Sequence, residues 1–314
     1  MKLLTYDQVD PLGVLHLNLL CLGYPLTPEL AARLRRDDPR VMEGLGVYLE
    51  ADGIVVGQVL LYRLPVVATD GPGEVGGICA VCTHPAFQRR GIAARLMDAA
   101  HARMRDAGLT VSTLGTTRYR VAHRLYLRAG YEDAVDSLST LVRREQLPPN
   151  GFLRALRATE ASLGDCDAVF DRAARGRLGF ARRHPGFFAL SAAAGEIDVG
   201  ALWLLHRGAE PVGYATTSGG GGLLRVRMLL LEERADAPAA IAALSAAGAA
   251  ERIELRVDEP AVAEALIGAG FPPPRRDWNT FMLRPLREGL PIEAARRWLG
   301  IDSGRFLISP IDQT

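Results

Sequence analysis

The chain has 314 residues, 48% of them hydrophobic, with 37 basic against 36 acidic side chains and a net charge of +1. That length supports two domains with separate cores, and the even charge leaves no electrostatic case for binding nucleic acid or an anionic membrane. No apolar run reaches membrane-spanning length, no signal-peptide core opens the chain, and four cysteines are too few for a disulfide scaffold. A soluble cytoplasmic protein is expected. Lys2 is the only lysine; the arginine excess suits phosphate recognition and points to a GC-rich, bacterial genome.

Residues 3–9 read as an edge strand. Asp10 and Pro11 open a helix over 13–23, and Thr27-Pro28-Glu29 supplies the N-cap, first position and acidic first turn of another, ending near Arg36. Residues 41–49 and 54–61 form a hairpin around Ala51-Asp52-Gly53. A loop is expected over 65–73.

Residues 76–108 organise the rest. The run 78–83 is apolar and β-branched, as in a strand covered on both faces, and Pro85 ends it. Ile92, Leu96, Ala100 and Met104 recur at spacing four, so a long amphipathic helix follows, stopped by Gly108. The segment Gln88-Arg89-Arg90-Gly91-Ile92-Ala93-Ala94 therefore lies at a helix N-terminus. Free amides and the helix dipole favour an anion there, Gly91 permits close approach, and two arginines add charge. These features describe a pyrophosphate cradle. Cys79 and Cys82 are spaced C-x-x-C, but positions i and i+3 of an extended strand face opposite sides, so both read as core residues and no metal is expected.

Residues 109–114 form another strand, 118–129 a helix closed by Gly130, and 131–142 the last two strands of this half. The order β-α-α-β-β-β-α-β-α-β-β and the motif Q-x-x-G-x-A after T-H-P on a buried strand resemble the GNAT acetyltransferase superfamily over about the first 145 residues. The resemblance implies a twisted mixed sheet with helices on both faces, and acetyl-CoA as co-substrate. It implies backbone contacts from Val81 and Thr83 to the pantetheine arm, with the Val81 amide facing the thioester carbonyl. The run Arg120 to Tyr131 carries the family's A-x-x-L-Y-x-x-x-G-F/Y signature at Ala122, Leu125, Tyr126, Gly130 and Tyr131, and implies Tyr126 as general acid for the leaving thiolate. Many relatives have Asn where this chain has Tyr119, a changed cofactor contact. The central strand holds no acid; Glu74 at its start is the nearest candidate base, and His84 a second.

From residue 152 the element order repeats through 283, and A-L-I-G-A-G-F aligns with L-Y-L-R-A-G-Y, setting Leu266 against Tyr126. The loop Glu232-Glu233-Arg234-Ala235-Asp236-Ala237 has three acids and no glycine, which repels phosphate. Gly219-Gly220-Gly221-Gly222 precedes a strand and reads as a flexible connection. The expectation is a tandem: 1–147 a cofactor-binding catalytic GNAT domain, 148–287 a degenerate copy, 288–314 a helix and tail. It resembles the two-domain core of Eis-type acetyltransferases, without room for their third domain. The function implied is acetyl transfer to an amine of a small molecule or peptide in a ternary complex; the alternative is a non-catalytic acyl-CoA sensor.

Overall fold

A computed structural model describes residues 1–149 and 151–312. In the first half, β1 (Lys2–Leu4), α1 (Pro11–Leu22), α2 (Pro28–Asp37), β2 (Val41–Ala51), β3 (Ile54–Ala68) and β4 (Gly71–Thr83) precede α3 (Ile92–Asp106), β5 (Val111–Thr117), α4 (Val121–Arg128) and β6 (Glu132–Arg143). The second half runs β7 (Leu153–Arg157), α5 (Leu163–Ala173), β8 (Leu178–Gly179), α6 (Phe187–Ala193), β9 (Leu202–Arg207), β10 (Glu210–Gly220) and β11 (Leu223–Leu231). It continues with α7 (Ala237–Ala247), β12 (Arg252–Val257), α8 (Pro260–Gly268) and β13 (Arg275–Pro285). A tail holds α9 (Ile292–Leu299) and β14 (Phe306–Leu307).

The helices begin where local chemistry dictates. Asp10 caps α1 by accepting from the Leu12 and Gly13 amides, with Pro11 at the first position; Thr27 caps α2 by accepting from Leu30. α3 lays Ile92, Leu96, Ala100 and Met104 on one sheet face. It packs so close that a Cβ at Gly57 would stand 2.8 Å from the Ile92 and Leu96 side chains. α1 and α2 cover the opposite face, together with α9 of the tail.

One mixed sheet runs through the molecule in the order β1-β2-β3-β4-β5-β13-β6-β12-β11-β10-β9-β7. Its centre departs from the sequence expectation. Residues 131–142 supply one strand rather than two, and the place beside β5 is taken by β13, which pairs antiparallel from Asn279↔Thr117 to Pro285↔Val111. β6 in turn pairs with β12, Arg143 facing Arg252 and Leu138 facing Val257. Each half thus lends its last strand to the other. Hydrophobic periodicity marks a strand as such but carries no record of which edge it joins.

Other local expectations also shift. Residues 3–9 give a three-residue strand and a 3-10 turn, Tyr6–Gln8. The loop expected over 65–73 is the end of a long hairpin, with Pro65 facing Glu74 and Val67 facing Pro72. Pro65 fits because β2 pairs with β3 only up to Tyr62, so no acceptor waits for the missing N–H. The four-glycine run is a tight hairpin: Gly220 faces Leu223, and Gly221 and Gly222 take φ of 59° and 76°, the mirror-image turn that suits strand twist.

Candidate active site

β4 is where the sheet opens. It pairs in parallel with β5 only at Gly76↔Ser112 and Gly77↔Thr113, after which the two strands part. On its other edge the register with β3 slips: Leu60 faces Cys79 and Gln58 faces Cys82, leaving Ala80 and Val81 to share Val59. Ala80 sits at φ +49°, a left-handed conformation that costs a non-glycine residue about 1–2 kcal/mol. A closed pair of side-chain amides holds it. Asn18 and Gln58, both fully buried, exchange two hydrogen bonds of 2.9 Å, and Gln58 Nε2 also donates to the Ala80 carbonyl at 3.3 Å.

This bulge corrects the reading of the C-x-x-C pair. The extra residue brings Cys79 and Cys82 to the same face, toward α1 and α2. All four cysteines are free, and no group of metal-ligating side chains assembles among the described residues.

Beyond β4, His84 Nδ1 accepts from the Ala86 amide at 3.2 Å and caps a short turn, Pro85–Phe87. That capping role accounts for the histidine. Arg89 (φ +59°) and Gly91 (φ +74°) then turn the chain into α3. Among the described residues, the backbone amides of Arg89, Arg90, Gly91, Ile92, Ala93 and Ala94 find no protein acceptor. A Cβ on Gly91 would meet nothing within 4 Å, so the surface in front of these amides is open. Gln88, Arg89 and Arg90 are exposed there, Arg90 lying over the Phe87 ring at 5.0 Å.

Tyr126 stands on α4, 7% exposed, with its ring edge-on to Tyr131 at 6.1 Å. Its hydroxyl has no hydrogen-bond partner among the described residues, yet it is not among the sealed, unpartnered hydroxyls. Burial pushes its pKa up to about 12, with Cys79 adding to the rise and Arg120 opposing it. Tyr131, behind it, is fixed by Ser112 Oγ at 2.6 Å and His101 Nε2 at 2.9 Å. Arg284 of β13 donates to His101 Nδ1 at 2.6 Å and to the Ala129 carbonyl. Burial and that guanidinium lower the His101 pKa to about 3, so the imidazole is neutral and its Nε2–H donates to Tyr131. A strand of the second half therefore braces the helix that carries Tyr126.

Of the other residues singled out by sequence, Val81 lies at the bulge and Thr83 at the strand end, its hydroxyl buried without a partner. Tyr119, 64% exposed, stacks on Trp278 of β13 at 3.9 Å, just before α4. Glu74 is not brought to this cleft. It pairs with Arg63 at 2.6 Å, and Arg63 also donates to the Ala107 carbonyl at the far end of α3. Val81 lies seven positions further along the strand, about 23 Å away.

A cavity of about 430 Å³ opens on the α1 and α2 face of β4 at Cys79, lined by Arg40 and Tyr62 of the first half and by Glu196, Asp198 and Ile311. Sequence reasoning missed Glu196, because nothing local marks a loop carboxylate that meets its site only through tertiary packing. It also missed Asn18 and Gln58, although an asparagine inside the apolar helix P-L-G-V-L-H-L-N-L-L-C-L is a visible signal of a buried polar contact.

A strand that splits from its parallel neighbour, a bulge beside it and a helix head with open amides define a GNAT-type acyltransferase fold. The family model of an acetyltransferase (GNAT) domain matches residues 13–134, within the first half. No curated protein matches the chain. Among solved structures, a GCN5-related N-acetyltransferase from Kribbella flavida is similar at 20% identity and TM-score 0.61, covering 90% of this chain and 70% of that one. A GCN5-related N-acetyltransferase from Anabaena variabilis aligns at 14% identity and TM-score 0.66, over 91% and 73%. Eis1 from Mycobacterium abscessus aligns at 16% and 0.59, over 91% and 74%. At these identities the likeness is one of fold. No helix among the described residues is long and apolar enough to cross a membrane.

Proposed function

We propose that the chain is an acetyl-CoA-dependent N-acetyltransferase built from two GNAT-like copies, of which the first binds the cofactor and acts. The observation that carries this reading is the run of six open amides from Arg89 to Ala94, facing solvent at the head of α3 beside the split between β4 and β5. Such a helix head holds a pyrophosphate through N–H donors and the dipole together. Gln88, Arg89 and Arg90 flank it, and the parted edge of β4 at Val81 and Thr83 is free to pair with an extended pantetheine arm.

The chemistry then belongs to two groups. The amine nitrogen attacks the thioester carbonyl, whose developing oxyanion is met by the Val81 amide at the bulge. The amine loses a proton to solvent, the C–S bond breaks, and Tyr126 protonates the departing sulfur and is reprotonated from water. A phenol held near pKa 12 keeps its proton at every physiological pH. The same desolvation raises the basicity of a thiolate formed beside it, which narrows the gap the proton must cross.

One observation favours the alternative, a non-catalytic acyl-CoA sensor: no carboxylate of the central strand reaches the cleft, since Glu74 lies at its other end. Incubation with acetyl-CoA and a panel of amines, followed by release of free thiol, separates the two. The transferase reading expects amine-dependent thiol release; tight acetyl-CoA binding with no release for any amine would support the sensor.

A further inference from the structure

We propose that the cavity at Cys79 is the acceptor site, and that Glu196 of the second half holds there the ammonium group of a small amine with an apolar body. This rests on the transferase reading and gives the half without a cofactor cradle a part in the reaction. The cavity meets β4 at Cys79, one residue before the bulge. An amine seated in it lies on the opposite side of the strand opening from α3, where attack on a bound thioester has to come from.

The charges on the wall select a cation. Arg40 is the one guanidinium, and its charge is matched by buried Asp38, to which it donates through Nε at 3.0 Å and Nη2 at 2.7 Å. Glu196 takes a single hydrogen bond from Arg40, to Oε2 at 3.0 Å, and Asp198 takes one from the Gly200 amide at 2.9 Å. Each carboxylate keeps an oxygen for a ligand. An independent feature points the same way. Tyr62 is 6% exposed and lines the cavity, yet its hydroxyl has no partner among the described residues and is not sealed off. A buried hydroxyl left unpaired costs free energy that a ligand donor or acceptor would recover.

The remaining wall is mostly apolar. Ile197, Ala201, Pro310 and Ile311 supply it, with Thr216 as its one further polar residue, and the tail is fastened there by Asp312, which accepts hydrogen bonds of 2.8 and 2.9 Å from buried Arg183. A volume of about 430 Å³ lies toward the small end for ligand sites. It suits a compact amine.

The test is calorimetry on the CoA-saturated full chain with 2-phenylethylamine as probe and 3-phenylpropionate as its anionic counterpart, run beside thiol release from acetyl-CoA. The amine should bind and the carboxylate should not. Glu196→Gln should weaken amine binding roughly 10- to 100-fold, the range for a lost charged hydrogen bond, while acetyl-CoA affinity stays unchanged. Glu196→Asp should restore most of the binding, and Ala201→Phe, which fills the cavity without touching a charge, should abolish it. Failure of the amine to bind wild type, or equal binding by Glu196→Gln, overturns the proposal. Amine binding through Glu196 without thiol release keeps this site and removes the transferase reading. Thiol release indifferent to Glu196→Gln does the reverse.

Discussion

The heads of α3 and α7 occupy matching places in the two halves and have opposite chemistry. Before α3 the chain supplies Arg89, Arg90 and a left-handed Gly91, and six successive amides have no acceptor among the described residues. Before α7 it supplies Glu232, Glu233 and Asp236, and Pro238 in the first turn has no N–H to offer. The strands differ in the same sense. β4 and β5 separate after two paired positions, whereas β11 and β12 stay paired from Leu223↔Arg252 to Val226↔Leu255. Past that point the second opening is filled by its own side chains. Glu259 is gripped by Arg177 at 2.8 Å and by Arg234 at 3.2 Å, and Arg177 reaches the Leu231 carbonyl. The proposed phosphate site thus rests on donors left unspent, whereas the charged groups near α7 are spent on one another.

The largest expected effect concerns Tyr126, which the proposed tandem sets against the fully buried Leu266. Tyr126→Phe keeps the ring and its packing and removes one oxygen, so turnover should fall by about 10²–10⁴-fold. Acetyl-CoA affinity should barely move, which places the loss in kcat. A variant that turns over at the wild-type rate would make Tyr126 a core residue like Leu266.

Next in size is the cradle itself. Gly91→Glu forces a side chain into a left-handed position and sets a carboxylate before the open amides. Acetyl-CoA binding should weaken by at least ~100-fold, about 2.7 kcal/mol, in calorimetry on a folded variant. A comparable charge change at Glu233, before α7, should leave that affinity untouched.

Smaller effects test how the rest of the molecule supports this site. Gln58→Leu strands the buried Asn18 amide and frees the Ala80 carbonyl, so chemical denaturation should show a loss of about 1–3 kcal/mol. His101 gives a pH signature. Its pKa is lowered from 6.5 to about 3 in the folded chain, so between these values the unfolded chain binds more protons. Stability due to this group is present above pH 6.5 and is lost as pH falls toward 3. His101→Gln should flatten that acid limb in melting curves; an unchanged limb would show that other groups set it.

The helix head was legible in sequence because it is local: Gln88 to Ala94 lie within one turn and the start of α3, and the helix stripe Ile92, Leu96, Ala100, Met104 announces itself by spacing. The same holds for the placing of Tyr126 on a short helix. What escaped depends on pairing across the chain. The β13 insertion, the Ala80 bulge that put Cys79 and Cys82 on one face, and the arrival of Glu196 beside Cys79 are set by register and packing. Glu74 departs from expectation for a related reason: nearness along a strand is not nearness to the cleft, since about 3.3 Å per residue carries it far away.

The contrast between the two helix heads is tested most directly by titrating the intact chain with acetyl-CoA in a calorimeter. The account predicts saturation at one equivalent, and loss of that single site in Gly91→Glu. Saturation at two equivalents, or one equivalent that survives Gly91→Glu, would contradict it.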